Sequence, residues 1–128
     1  MISLICEKYK ITNYTINPDG SIDVLGDVYL CGKNLTELPL RFNKVTGCFD
    51  CGDNKLTTLK GSPKWVGGYF NCSSNQLTNN LCDTEIGAYF YTTLKQDGLI
   101  FDGNRVTNYN EWRKMYKRKL ILNDIFNM

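Results

Sequence analysis

Val28-Tyr-Leu-Cys-Gly-Lys-Asn-Leu35-Thr36, Phe49-Asp-Cys-Gly-Asp-Asn-Lys-Leu56-Thr57 and Phe70-Asn-Cys-Ser-Ser-Asn-Gln-Leu77-Thr78 align without gaps at a spacing of 21 residues. Val28, Phe49 and Phe70 share one column, Leu30, Cys51 and Cys72 a second, and Leu35, Leu56 and Leu77 a third, with Gly26, Gly47 and Gly68 preceding each copy. So short a period marks a stacked repeat, in which no single unit buries its apolar face alone. Alternation at Phe49-x-Cys51 and Phe70-x-Cys72 predicts short strands with one buried face, paired in parallel from coil to coil. Asn54 and Asn75 follow each strand, where a carboxamide can bond the backbone of its own turn and of the adjacent coil. Lys33 fills that column in the first copy, so the asparagine ladder is expected to begin at the second coil.

Beyond these copies the pattern loosens. A fourth copy at the same spacing would place Tyr91 and Thr93 in the two strand columns. A closing copy, Leu99-Ile-Phe101-Asp-Gly-Asn104-Arg-Val106-Thr107, sets Asn104, Val106 and Thr107 against Asn75, Leu77 and Thr78. A solenoid needs its ends covered. Ile2, Ile5, Cys6 and Tyr9 recur at helical spacing, and Asn17-Pro-Asp-Gly20 separates two apolar runs as a hairpin turn, predicting a helix-plus-hairpin N-terminal cap. From Asn110, read as an N-cap, a helix to about Asn127 offers Trp112, Met115, Tyr116, Leu120, Leu122 and Ile125 for burial.

These residues resemble the leucine-rich repeat family, whose core reads L-x-L-x-x-N-x-L, in its short bacterial and bacteriophage form. The resemblance covers residues 24 to about 109 and implies that the side opposite the main sheet is extended chain, with no helix. Tyr14-Thr-Ile-Asn-Pro-Asp-Gly-Ser-Ile-Asp-Val24 is similar to the entry segment of repeat proteins of large bacteriophages. In the family the concave strand face commonly holds a protein ligand. The expected fold is therefore α/β: a short leucine-rich-repeat solenoid with a parallel β-sheet of 21-residue repeats, a helix/hairpin N-cap and a helical C-cap. One domain of 128 residues is expected, with the cap at 1–23, the repeats at 24–109 and the capping helix at 110–128.

Composition removes whole classes of chemistry. The chain has no histidine, which excludes Ser-His-Asp and Cys-His nucleophile pairs and histidine-ligated zinc. The N-terminus reaches Glu7 and Lys8 too soon for a secretory signal, and no apolar run suits a membrane span. A cytoplasmic protein with reduced cysteines is expected, in the host cell if the chain is viral, with no membrane partner and no cofactor. Cys48-Phe-Asp-Cys51 has C-x-x-C spacing, but residues three apart on a strand face opposite sides, so neither metal nor redox function is assigned. Asp50, Asp53, Asp83 and Glu85 are not placed around any pocket, and the chain is read as no enzyme.

The residues flanking the buried columns form rows on the opposite face: Asp27, Cys48, Tyr69 and Phe90, then Tyr29, Asp50, Asn71 and Thr92, then Cys31, Gly52 and Ser73. Aromatic side chains there suit a protein interface, or serve as ordinary strand formers. Trp65 is expected to pack on the other side. Residues 105–128 carry six basic and two acidic side chains, against nine and eleven elsewhere. Arg113, Lys114, Lys117 and Arg118 are thus either a solvated helix face or a contact for nucleic acid or an acidic protein. The leading expectation is a phage protein that binds a bacterial host protein, such as a defence factor, and blocks or redirects it sterically. The alternatives are an anionic-partner binder acting through the helix, and an assembly component; a monomer or weak oligomer is expected.

Overall fold

Each period of the sequence folds into one coil that gives a short strand to each of two sheets. The computed structural model describes residues 1–126. In chain order the elements are α1 (Ile2–Lys8), β1 (Tyr14–Ile16), β2 (Ile22–Val24), β3 (Val28–Tyr29), β4 (Phe42–Val45), β5 (Phe49–Asp50), β6 (Trp65–Val66), β7 (Phe70–Asn71), β8 (Glu85–Ile86), β9 (Phe90–Tyr91), β10 (Phe101–Asp102), β11 (Arg105–Val106) and α2 (Tyr109–Phe126). Sheet 1 has the order β1-β2-β4-β6-β8 and sheet 2 the order β10-β11-β9-β7-β5-β3. Strands β2 to β8 of sheet 1 and β3 to β9 of sheet 2 are parallel, so the chain is a β-solenoid of stacked coils. The side expected to be extended chain is thus organised as a second sheet.

Register follows the apolar columns. Val28, Phe49, Phe70 and Phe90 stand side by side in sheet 2, and Val24, Val45, Val66 and Ile86 in sheet 1, each almost fully removed from water. Burying such a side chain contributes about 2 kcal/mol, and each coil supplies several. The phenylalanine rings follow one another at 5.0 Å (Phe42 to Phe49), 5.2 Å (Phe49 to Phe70) and 5.3 Å (Phe70 to Phe90), and the row continues with Tyr109 stacked on Phe90 at 3.9 Å. Where the chain turns from sheet 1 to sheet 2, Gly47 N–H donates to Gly26 C=O and Gly68 N–H to Gly47 C=O, both at 2.8 Å. A Cβ on Gly47 would lie 2.8 Å from the Gly26 backbone, so the stacked corners exclude larger residues.

The asparagine ladder begins at the second coil. Asn54 Oδ1 accepts from the Lys33 and Leu35 N–H groups, and its Nδ2 donates to the carbonyls of Leu30, Cys51 and Gly52. Asn75 repeats the pattern one coil on, accepting from Leu56 N–H and donating to the carbonyls of Cys51 and Cys72.

Three expectations are corrected. The fourth coil is one residue shorter: Val66 pairs with Ile86, and Phe70 with Phe90, so Phe90 and Thr92 occupy the buried columns in place of Tyr91 and Thr93. A shift of one residue turns every side chain of a strand to the other face. The closing copy is not a parallel coil. Its β10 and β11 form an antiparallel hairpin on β9, turning at Gly103-Asn104 with Gly103 at φ 64°, as a two-residue hairpin turn with a leading glycine allows. Asn110 lies inside α2 and does not cap it; its carboxamide bonds both the N–H and the C=O of Ile86, closing the open edge of β8.

The caps take the predicted elements. Cys6 and Ile11 close the N-terminal end of the core, and β1 pairs with β2 across the Asn17–Gly20 turn. At the other end Tyr109 and Trp112 are buried and Tyr116 half-buried, but Met115, Leu120, Leu122 and Ile125, expected to be buried, are exposed. The last residues of the predicted helix, Asn127 and Met128, lie outside the described residues.

Candidate functional site

Sheet 2 has one face in the core, and the residues between its buried columns necessarily point outward. Asp27, Cys48, Tyr69 and Tyr89 make one outer row, and Tyr29, Asp50, Asn71 and Tyr91 the next. Six of the eight residues predicted for the first two rows are on this face. Phe90 and Thr92 are instead fully buried, and Tyr89 and Tyr91 take their places because of the short fourth coil. Arg105, on β11 beside Tyr91, completes the second row and was missed because the closing copy had been aligned as a parallel coil.

The face is rich in rings. Tyr29 is 52% and Tyr89 45% exposed, while Tyr69 and Tyr91 are half-buried, edge to face at 5.8 Å. The Arg105 guanidinium lies over the Tyr89 ring, 4.6 Å from its centre, and also pairs with Asp102 at 2.6 Å. Asp27 accepts from Tyr29 Oη (3.3 Å) and from Cys48 N–H (2.8 Å). Asp50 accepts from Asn71 Nδ2 and Gly52 N–H, and Asn71 in turn accepts from Ser73 N–H. Short polar side chains are therefore held in fixed orientation by the coil backbone, and the longer tyrosines stand among them.

Raised pKa values keep Tyr29 and Tyr69 as donors. Desolvation, reinforced by the charge of Asp50, pushes the Tyr69 phenol up to about 12. The Asp27 charge raises that of Tyr29. At neutral pH both remain protonated beside carboxylates, so the face offers O–H donors, carboxylate acceptors and ring surfaces for contact.

The other singled-out residues are dispersed. Cys48 lies half-exposed on the outer face whereas Cys51 is buried on the inner one, so the C-x-x-C sulfurs do diverge. Burial raises the thiol pKa of Cys51, Cys72 and Cys82. Trp65 is on the outside of sheet 1 with Lys44 Nζ 5.2 Å from its ring centre. Of the basic helix residues, Arg113 pairs with Glu85 and Lys117 with Asp83 (2.5 Å), fastening α2 to the corner of the last coil, while Lys114 and Arg118 project into solvent. A cavity of about 520 Å³ lies near that junction, bordered by Arg41, Lys60, Lys64 and Lys117 with Asp19 and Asp83.

The fold and face define a class, a short β-solenoid with a tyrosine-rich outer sheet. Set against protein-family models, curated proteins and solved structures, the chain matches none.

Proposed function

We propose that this chain is a non-enzymatic binding module of the leucine-rich-repeat type, which covers a surface of a partner protein with the outer face of sheet 2. The observation that carries the reading is the pair of rows in which Tyr29, Tyr69, Tyr89 and Tyr91 alternate with Asp27, Asp50 and Asn71. Tyrosine supplies large contact area with few rotatable bonds, and interface anchors are enriched in it. Oriented carboxylates and amides then add directional specificity. The repeat type is supported by the 21-residue period and by the asparagines that bond across coils. The partner we favour is a bacterial host protein that a phage module occupies and blocks, on the resemblance of the N-terminal segment to phage repeat proteins.

The test is affinity capture from bacterial lysate, with and without nuclease, comparing wild type with Tyr29→Ala/Tyr89→Ala. Both side chains are exposed, so the variant keeps its fold. One protein retained stoichiometrically by wild type and lost by the variant supports the reading. Equal retention by both baits, or retention that vanishes with nuclease, overturns it.

A further inference from the structure

Helix α2 is anchored only over its first half. Tyr109 and Trp112 are buried, Tyr116 is half-buried, and every residue from Lys117 to Ile125 is exposed. Such a segment gains little from the solenoid, and helical propensity alone holds so few residues poorly in water. Yet its side chains are unlike those of a solvated tail. Met115 (67%), Ile121 (58%), Leu122 (51%) and Ile125 (57%) are large, apolar and open to solvent.

Their placement is not random. At 100° per residue these four fall within an arc of about 120°, on the side turned away from Tyr109, Trp112 and Tyr116; Leu120, the least exposed of the five described large apolar residues open to solvent on α2, lies outside it. Lys114 and Arg118 lie in the N-terminal half of the same arc, and Lys119 on its flank. Arg113 and Lys117 point elsewhere, engaged with Glu85 and Asp83. Glu111, in the first turn, is the carboxylate on this side among the described residues. The outward face thus runs from cationic near the solenoid to apolar at the tip.

Each candidate occupant meets that pattern differently. A second copy would set cations against cations if parallel, and if antiparallel would lay Lys114 and Arg118 on the apolar tip of the other copy. Nucleic acid would satisfy the cations and leave the apolar tip in water. A bilayer interface takes both, since phosphate headgroups meet Lys and Arg while the acyl boundary accepts Leu and Ile, and long basic side chains reach back to the headgroups. We infer that the outward face of α2, comprising Lys114, Met115, Arg118, Ile121, Leu122 and Ile125, lies on an anionic membrane surface. No helix of the described residues is long and apolar enough to cross a membrane, so the contact is one of lying in the interface. This revises the expectation of no membrane partner, which rested on the absence of a spanning segment.

The experiment is co-sedimentation with extruded vesicles of phosphatidylglycerol and phosphatidylcholine in equal parts, against vesicles of phosphatidylcholine alone. Wild type should partition at least about tenfold more strongly onto the anionic vesicles. Ile121→Ser/Leu122→Ser/Ile125→Ser and Lys114→Gln/Arg118→Gln/Lys119→Gln should each weaken that partition by at least about tenfold. The exposed positions leave the solenoid intact, which circular dichroism verifies. In a separate Trp65→Phe/Ile125→Trp reporter, which removes the exposed Trp65 and keeps buried Trp112 as the constant background, emission should shift to the blue on anionic vesicles. The inference is overturned if wild type stays in the supernatant, if the apolar variant partitions like wild type, or if the reporter does not shift. It is equally overturned if sedimentation velocity shows a dimer that the apolar variant abolishes, which would give the face to a second copy.

Discussion

Asn54 makes five hydrogen bonds through one carboxamide, reaching the turn that holds it and the coil before it. Replacing it by alanine strands the Lys33 and Leu35 N–H groups and the Leu30 carbonyl, while the Cys51 and Gly52 carbonyls keep their bonds from Asn75 Nδ2 and Gly32 N–H, and should cost about 3 kcal/mol. Urea denaturation checks this, with exposed Gln76→Ala as a control expected to change stability by less than about 0.5 kcal/mol; equal midpoints for the two variants would remove the ladder from the account. The role of this residue was legible because the carboxamide recurred in one column. Asn80 was not legible. It is fully buried, accepts from Thr92 Oγ1 and donates to the Leu94 carbonyl, replacing the ladder where the N-x-L-T pattern lapses. The cysteines divide just as sharply. Cys31 and half-exposed Cys48 should react with a thiol reagent in the native protein at pH 8, while Cys6, Cys51, Cys72 and Cys82 wait for unfolding. Four or more thiols titrating at once under native conditions would contradict the buried columns.

Among the elements, the ends of the solenoid depend on particular contacts. Asn110 mimics a further strand by pairing with Ile86 on both sides, at 3.0 Å to the N–H and 2.8 Å to the C=O. Asn110→Ala should loosen the docking of α2 by about 1 to 2 kcal/mol. Hydrogen exchange at the Ile86 amide should accelerate while that at Phe49 stays slow; unchanged protection at Ile86 would show that the helix closes β8 without this side chain. The length of the fourth coil was misread because Phe90 and Tyr91 are both aromatic, and the 21-residue count favoured the second. The signal lay in the corner: Val45-Thr-Gly47-Cys-Phe49, Val66-Gly-Gly68-Tyr-Phe70 and Ile86-Gly-Ala88-Tyr-Phe90 align strand, corner and strand together. Anchoring the alignment there would have moved Phe90 inward and brought Tyr89 and Tyr91 onto the face. The antiparallel direction of β11 had no comparable signal, since two-residue strands of either direction show the same alternation.

For the molecule as a whole, burial raises the pKa of Cys51, Cys72, Cys82 and Tyr109, and takes Tyr69 to about 12. Each group holds its proton more tightly folded than unfolded, so its contribution to stability is complete below its ordinary pKa and lost as pH rises above it. Thermal unfolding should accordingly show a plateau from neutral pH to about 8.5, the ordinary thiol value, and then a decline that steepens past about 10, where free phenols ionise. A melting temperature level up to pH 11 would argue against the buried thiols and phenols. The stacked glycine corners carry a different consequence. Coils two and three are interchangeable in strand, corner and ladder, and the caps touch only the coils beside them. The chain therefore behaves as a ruler with spare rungs: duplicating residues 49–69 would lengthen the tyrosine-bearing sheet by one strand spacing, about 4.8 Å. Both ends would remain as they are, and the reach of the binding face becomes a matter of how many times one paragraph of sequence is repeated.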